Sequence, residues 1–342
     1  MLAVGYSQHG APRKVLALHR VDARDEVYGA PSPARQQVRV RMLASPINPM
    51  DLLMVRGLYP LLPSLPAVPG AEGVARVETL GEDVEGLEEG DHVLLPVRSG
   101  AWREALTLRA ETLIKVPKAL DPLQLCMLRI NALSAHALLE QSGLKAGQWL
   151  AQSPAMGGVA QYVVQLAKAR GIRSLNLVSQ SALTKGMEAE MLAMGADRLF
   201  CQQQRGARDA WGTAHVALDG VGGRMTEQLA TMLEDNRQVL CYGAMSREAG
   251  TLSVQQSVFR GISFHGFWLH RWGREQGRAR VHEIVSNLAT MGLRNRIARV
   301  FSLQDFAQGL AYAENSSKNQ GRVILTMNEA SIKSPHEHHA GS

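Results

Sequence analysis

The stretch Trp149-Leu150-Ala151-Gln152-Ser153-Pro154-Ala155-Met156-Gly157-Gly158-Val159-Ala160 decides the fold. Trp149–Gln152 is a short, largely apolar run of strand character. Val159, Val163, Leu166 and Ala167 then recur at helical spacing, and Gly171 follows as a stop signal. Between strand and helix lie Gly157 and Gly158, with Ala160 close behind. A dinucleotide pyrophosphate needs backbone N–H groups at a helix N-terminus and neighbours small enough to let it approach. This turn, from Met156 through Val159, supplies both. It is a degenerate form of the glycine fingerprint, and its position between a strand and a helix is what gives it meaning.

Downstream, the same alternation repeats. Ser174–Val178 reads as the next strand, Leu183–Met194 as a helix ended by Gly195, and Ala214–Asp219 as a further strand followed by Gly220, Gly222 and Gly223. Arg237–Tyr242 is another apolar strand. Strands alternating with helices imply βαβ units and a parallel sheet. The second strand ends in Ser179, Gln180 and Ser181, with Lys185 just beyond. An acid there would bind a free ribose 2′-hydroxyl, whereas a neutral, hydroxyl-rich end accepts a 2′-phosphate. The expected cofactor is therefore NADPH. Ser181 can also cap the helix that follows.

Upstream, the chain changes character. Val38–Met42 alternates apolar and charged side chains, Gly73–Val77 and His92–Leu95 are similar, and Val15–Leu18 is a shorter strand candidate. Pro46, Pro49, Pro60, Pro63, Pro66 and Pro69 crowd one stretch, which reads mostly as loop. A β-rich, barrel-like unit fits this region.

The 342 residues carry 45% hydrophobic and 20% charged side chains, enough to bury a large core and too apolar for a disordered chain. The net charge of +6 is mild for this length, and 5% aromatics leave little for base stacking, so no nucleic-acid partner is expected. Three scattered cysteines, Cys126, Cys201 and Cys241, exclude a disulfide framework and a four-cysteine zinc site. No apolar run approaches the roughly 18 residues of a membrane span. The basic start lacks the apolar core of a secretory signal, and the short strand reading at Val15–Leu18 competes with a transit peptide, so a cytoplasmic location is expected. The polar, His-rich segment 331–342 reads as a disordered tail.

The chain resembles the medium-chain dehydrogenase/reductase superfamily. The resemblance runs from Val4 to Met327 and rests on Ser45-Pro46-Ile47-Asn48-Pro49-Met50-Asp51, Pro66-Ala67-Val68-Pro69-Gly70-Ala71-Glu72-Gly73, Gly90-Asp91-His92-Val93 and the Gly157-Gly158 turn. Gly57-Leu58-Tyr59-Pro60, Leu62-Pro63-Ser64-Leu65-Pro66, Cys241-Tyr242-Gly243-Ala244-Met245, Gly266-Phe267-Trp268-Leu269 and Ile324-Leu325-Thr326-Met327 look like its trans-2-enoyl-CoA/acyl-carrier-protein reductase branch. The resemblance implies an α/β protein with a GroES-like β-barrel catalytic domain and a Rossmann domain built on a doubly wound parallel sheet. The expected boundaries are 1–122 with 303–330 for the first and 123–302 for the second.

It further implies an enzyme in which NADPH lies across a cleft and delivers hydride to an enoyl thioester carried by CoA or an acyl carrier protein. Tyr59 would be the catalytic tyrosine, with Trp268 and Phe267 walling the acyl pocket. Asn131, Tyr242, Gly243, Ala244, Met245, Phe267, Trp268, Leu269 and Arg322 would contact the cofactor. Zinc-dependent relatives use Gly-His-Glu and a cysteine lobe. Here Gly70-Ala71-Glu72 stands and the lobe is missing, so no metal is expected. The branch's arginine after the second Rossmann strand is replaced by Ser179 and Gln180, and Ala160 replaces the last glycine of the turn.

The basic run His270–Arg274, with Arg278 and Arg280, fits CoA phosphates, an acidic carrier protein or a plain solvated helix face. Ser257–Phe264 alternates like an edge strand, and the family pairs that edge into a homodimer. A quinone or enone reductase on the same scaffold is the alternative enzyme, and a nucleotide-binding protein without catalysis is the alternative outside enzymes.

Overall fold

The structure, a computed structural model, describes residues 1–179, 185–201, 213–315 and 321–327. Contacts divide the chain into two compact units. The first is Met1–Arg129 with Ile297–Asn315 and the stretch from Arg322 onward; the second is mainly Ile130–Arg296.

In the first unit the strands are β1 (Leu2–Gly5), β2 (Ala17–Arg20), β3 (Gln37–Pro46), β4 (Val74–Leu80), β5 (His92–Leu94), β6 (Ala105–Arg109) and β7 (Ile114–Val116). β3 is the longest, and its alternation holds: Val38, Val40, Met42 and Ala44 are buried while Arg39 and Arg41 turn outward. Both arginines pair with Glu78 on the neighbouring β4, at 2.7 and 2.6 Å. Pro12 starts a helical turn over Pro12–Val15, because its fixed φ suits a first helical position. The strand expected at Val15–Leu18 therefore begins only at Ala17. Within the proline-rich stretch a helix forms over Pro49–Val55. A capping box makes it possible, in which the Asn48 amide donates to Asp51 Oδ2 at 2.8 Å.

The second unit carries β8 (Trp149–Ser153), β9 (Arg173–Val178), β10 (Arg198–Cys201), β11 (Ala214–Asp219), β12 (Leu233–Cys241) and β13 (Ser263–Gly266). All are parallel, in the order β10-β9-β8-β11-β12-β13. Counted from β8, that is the 3-2-1-4-5-6 order of a doubly wound dinucleotide fold, and the order reverses between β8 and β11. Leu150, Ala151, Leu175, Leu177, Ala217, Leu218, Val239 and Leu240 are all buried, as expected of strands covered on both faces. A buried polar string interrupts them. Gln152 donates to Asn176 Oδ1 at 2.6 Å, and Asn176 donates to Ser174 Oγ at 2.9 Å.

Two sequence readings change here. Ser257–Phe264 is not one strand: Gln255–Phe259 winds into a helical turn and only Ser263–Gly266 pairs, with β12. The last strands, β14 (Ile297–Ser302) and β15 (Arg322–Thr326), pair with each other in parallel, and β15 joins β3 through Ser45 and Pro46. β14 thus belongs to the first unit, and the second ends at Arg296 rather than at the expected 302. Parallel pairing between distant segments leaves no local mark in a sequence. No helix among the described residues is long and apolar enough to cross a membrane. The expected tail, 331–342, lies outside the described residues.

Candidate active site

In the second unit the site begins where β8 ends. Ala155 N–H donates to Leu177 O at 2.9 Å and Gly220 N–H to Ser153 O at 2.8 Å, so the turn after β8 is tied to both neighbouring strands. The helix Gly158–Ala169 follows. Gly157 is its N-cap, no side chain caps it, and no acid stands in its first turn. The first amides of a helix lack partners within it and carry partial positive charge. The turn fits the pyrophosphate of a dinucleotide: the Gly157 amide is held by Pro154 O at 3.0 Å, while the helix amides after it lack acceptors within the helix and no carboxylate competes in the first turn.

Asp219 ends β11 and is fully buried. Its Oδ1 accepts the amides of Val221 (2.8 Å) and Gly222 (2.9 Å), and its Oδ2 accepts the Thr226 hydroxyl at 2.6 Å. The carboxylate thereby shapes the glycine turn Gly220–Gly223. Two glycines then allow close approach. A Cβ on Gly243 would stand 2.7 Å from Gly220 O, and one on Gly220 would meet the Tyr242 hydroxyl at 2.8 Å. Burial, with Asp219 and Cys241 nearby, pushes the Tyr242 hydroxyl well above the ordinary tyrosine range, so it is a neutral hydroxyl.

The strand ends gather most of the sequence-selected residues. Met156–Val159 follow β8, Ser179 follows β9, Tyr242–Met245 follow β12, and Phe267–Leu269 follow β13. Phe267 is buried and donates its amide to Cys241 O at 2.7 Å. Trp268, half-buried, caps the next helix, its ring 5.2 Å from that of His270. Asn131 is buried in the helical turn Leu128–Ala132. Gln180 and Ser181 lie outside the described residues.

Tyr59 and Arg322 belong to the first unit. Tyr59 is half-buried in the loop after the helix Pro49–Val55, where Gly57 turns the chain at φ +74°. The same loop supplies Pro63 to a cavity of about 270 Å³, whose wall also includes Tyr6, Met54, Val68, Gly70 and Val97. Behind Gly70 lies a buried polar network. Asp51 Oδ1 accepts the Ala71 amide at 2.7 Å, Glu72 Oε1 accepts the Asn48 side-chain amide at 3.0 Å, and Arg322 donates to Asn48 Oδ1. Burial lifts the Asp51 carboxyl to about 7 against the pull of these amides and of Arg322. Among the described residues no group of three or more His, Cys, Asp or Glu could hold a metal ion.

Sequence reasoning missed Asp219, Thr226 and the Asn48–Asp51–Glu72 network. A strand ending in Asp before three glycines was the available signal for the first; in the network only the Asn48–Asp51 capping box is local, and its links to Glu72 and Arg322 join residues too far apart to signal one another.

A barrel-like unit and a doubly wound parallel unit with a glycine turn at the switch point define a medium-chain dehydrogenase/reductase. The family description "Alcohol dehydrogenase GroES-like domain" matches residues 34–118. The mitochondrial enoyl-[acyl-carrier-protein] reductase of Xenopus tropicalis is 30% identical over 336 residues, covering 94% of each chain. The human protein of that name is 30% identical over 95% of this chain and 88% of its own. The chain belongs to this enoyl reductase family. Among solved structures, an Etr1p/NADP/crotonyl-CoA complex superposes with a TM-score of 0.81 at 24% identity, over 95% of this chain and 99% of that one. A putative NADPH:quinone reductase from Bacillus thuringiensis gives 0.81 at 23%, over 96% and 99%. At such identities these two show the shared fold.

The relatives' names correct one expectation. They are mitochondrial proteins in frog, human, slime mould and plant, which overturns the cytoplasmic reading. That reading set a short strand at Val15–Leu18 against a transit peptide in the basic N-terminal stretch, and a mitochondrial leader, Arg-rich and amphipathic, carries no apolar run to mark it.

Proposed function

We propose that the protein reduces the C=C bond of trans-2-enoyl thioesters with NADPH. The observation that carries this is its 30% identity, along 94% of its length, to an enoyl-acyl-carrier-protein reductase. NADPH, when bound, supplies the hydride that reaches the β-carbon. Negative charge then develops on the thioester oxygen. A neutral hydroxyl placed there lowers that charge or hands a proton to the α-carbon, and Tyr59 is the residue assigned to it. The turn Met156–Val159 would hold the pyrophosphate and Ser179, Gln180 and Ser181 the adenosine ribose. Asn131, Tyr242–Met245, Phe267–Leu269 and Arg322 would hold the nicotinamide half.

The protein is also proposed to be a homodimer. β13 is the outer strand of its sheet, and Val254, Val258, Phe259 and Phe264 stand exposed on and beside it. An open edge flanked by such a patch is normally covered.

One assay tests the activity: NADPH oxidation with crotonyl-CoA, longer enoyl-CoAs and a benzoquinone. Turnover of the thioesters supports the reading. Turnover of quinone alone replaces it with the quinone reductase, and cofactor binding without turnover replaces it with a binding protein.

A further inference from the structure

The amides of the pyrophosphate turn are aimed by side chains that would never touch the dinucleotide. Gln161 is fully buried one turn into the helix Gly158–Ala169. Its Nε2 donates to Met156 O at 2.9 Å, and its Oε1 accepts the Arg296 amide at 2.8 Å. Asn295, also buried, donates from Nδ2 to Gly158 O at 2.7 Å. One turn along, Gln165 Oε1 accepts the Arg294 amide at 2.9 Å while its Nε2 donates to Arg294 O at 2.6 Å. Three consecutive residues, Arg294–Arg296, are thus stitched to the start of the helix just before the chain enters β14.

This stitching acts on the turn itself. Amides from Gln161 and Asn295 hold the carbonyls of Met156 and Gly158 on the inner side, where no pyrophosphate would meet them. A peptide is planar, so fixing a carbonyl also fixes the N–H that follows it. Fixing Gly158 O therefore fixes the Val159 N–H, an early helix amide without a partner in the helix, and fixing Met156 O fixes the Gly157 N–H, which donates to Pro154 O at 3.0 Å and so sets the bend of the turn from which the free amides follow. A carbonyl swung toward the ligand would repel an anion and remove a donor.

We infer that Gln161, assisted by Asn295, is the positioning residue of the dinucleotide turn and sets the affinity of this protein for the pyrophosphate of its cofactor. The inference rests on the reading that the turn holds the pyrophosphate. It goes beyond that reading by assigning the turn's geometry to two buried amides and to the returning segment Arg294–Arg296.

Gln161→Glu separates the two arms. Glutamate still accepts from the Arg296 amide but cannot donate to Met156 O. Gln161→Met, uncharged and of similar length, guards against a folding defect, and Asn295→Ala removes only the side-chain bond to Gly158 O. Each variant is titrated with NADPH and with adenosine 2′-phosphate, which lacks the pyrophosphate, beside a melting curve. The expected result is an NADPH Kd raised by about tenfold for a folded Gln161 variant, the scale of one buried hydrogen bond. Adenosine 2′-phosphate should stay within about twofold of the wild-type protein, and Asn295→Ala should shift in the same direction. An unchanged NADPH Kd in a folded variant overturns the inference, and so does equal weakening of both ligands or loss of the fold in every variant. Gly157→Val, whose Cβ would stand 3.1 Å from Pro154 O and crowd the turn, tests the underlying reading. If it binds NADPH normally, the pyrophosphate lies elsewhere and the inference falls with it.

Discussion

Thr226 donates its hydroxyl to Asp219 at 2.6 Å, and through that bond the helix Arg224–Thr231 fixes the strand-end carboxylate that shapes the Gly220–Gly223 turn. Both residues are fully buried. Thr226→Val keeps the shape and removes the donor, leaving Asp219 with its two backbone amides. A hydrogen bond to a buried charge contributes about 1.5–3 kcal/mol. Denaturant unfolding should show Thr226→Val less stable by that amount, with NADPH affinity also reduced because the turn loosens. Stability within about 0.5 kcal/mol of wild type would mean that the hydroxyl does not hold the carboxylate.

The fold was legible in the sequence where its signals were local. The strand–glycine–helix unit at 149–160 set the second unit, and β3 showed its alternation in Val38, Val40 and Met42. The misreadings share a cause. β14 is recognised by its pairing with β15, a partner more than twenty residues away, and Ser257–Phe264 alternates yet forms a helical turn before it pairs. Candidate site residues near strand ends were visible as motifs. The group of Asn48, Asp51, Glu72 and Arg322 was visible only in its local Asn48–Asp51 capping box, because Glu72 and Arg322 are brought to it by the first unit's folding.

Asp51 gives stability a distinct pH dependence. Its carboxyl is raised from 3.8 to about 7, chiefly by burial, so the folded state holds a proton that the unfolded chain has released. A raised carboxyl contributes stability fully below about pH 4, and that contribution is lost as pH rises toward about 7. Its full size is on the order of 4 kcal/mol, at 1.36 kcal/mol per unit. Asp51→Asn lacks this titration. Its stability relative to wild type should therefore improve steadily from pH 4.5 to pH 7.5, measured by urea unfolding at several pH values. A constant difference across that range would place the Asp51 ionisation elsewhere.

Ser179 marks the end of β9, where the ribose is expected. Ser179→Asp places a negative charge beside a 2′-phosphate and offers an acceptor to a free 2′-hydroxyl. The Kd for NADPH should rise by about tenfold or more, which is at least 1.4 kcal/mol, while that for NADH holds or falls. Equal effects on the two cofactors would remove this strand end from the choice between them.

The dimer proposal turns on Phe259, 79% exposed beside the open strand β13. Phe259→Glu would bury a charge in any interface formed there, and burying an unpaired charge is costly. Light scattering should report a dimer for the wild-type protein and a monomer for the variant, with the melting curve of the monomer intact. A monomeric wild-type protein at micromolar concentration would end the proposal.

Tyr59→Phe is the sharpest test of the chemistry. Phenylalanine keeps the ring and its packing in the loop, so folding and NADPH binding should persist. The tyrosine hydroxyl supplies an O–H donor that phenylalanine lacks. Removing one oxyanion donor typically lowers kcat by about 10²–10³, or roughly 2.7–4 kcal/mol. If Tyr59 only packs against the wall that Pro63 shares, the loss should stay below about tenfold, the 1.4 kcal/mol scale of a packing defect. The measurement is kcat and KM with crotonyl-CoA for both proteins, beside NADPH affinity and melting temperature. A drop in kcat with KM, affinity and melting unchanged assigns the hydroxyl to the transition state. Wild-type turnover in a folded variant removes Tyr59 from the mechanism and leaves the thioester oxygen to another donor.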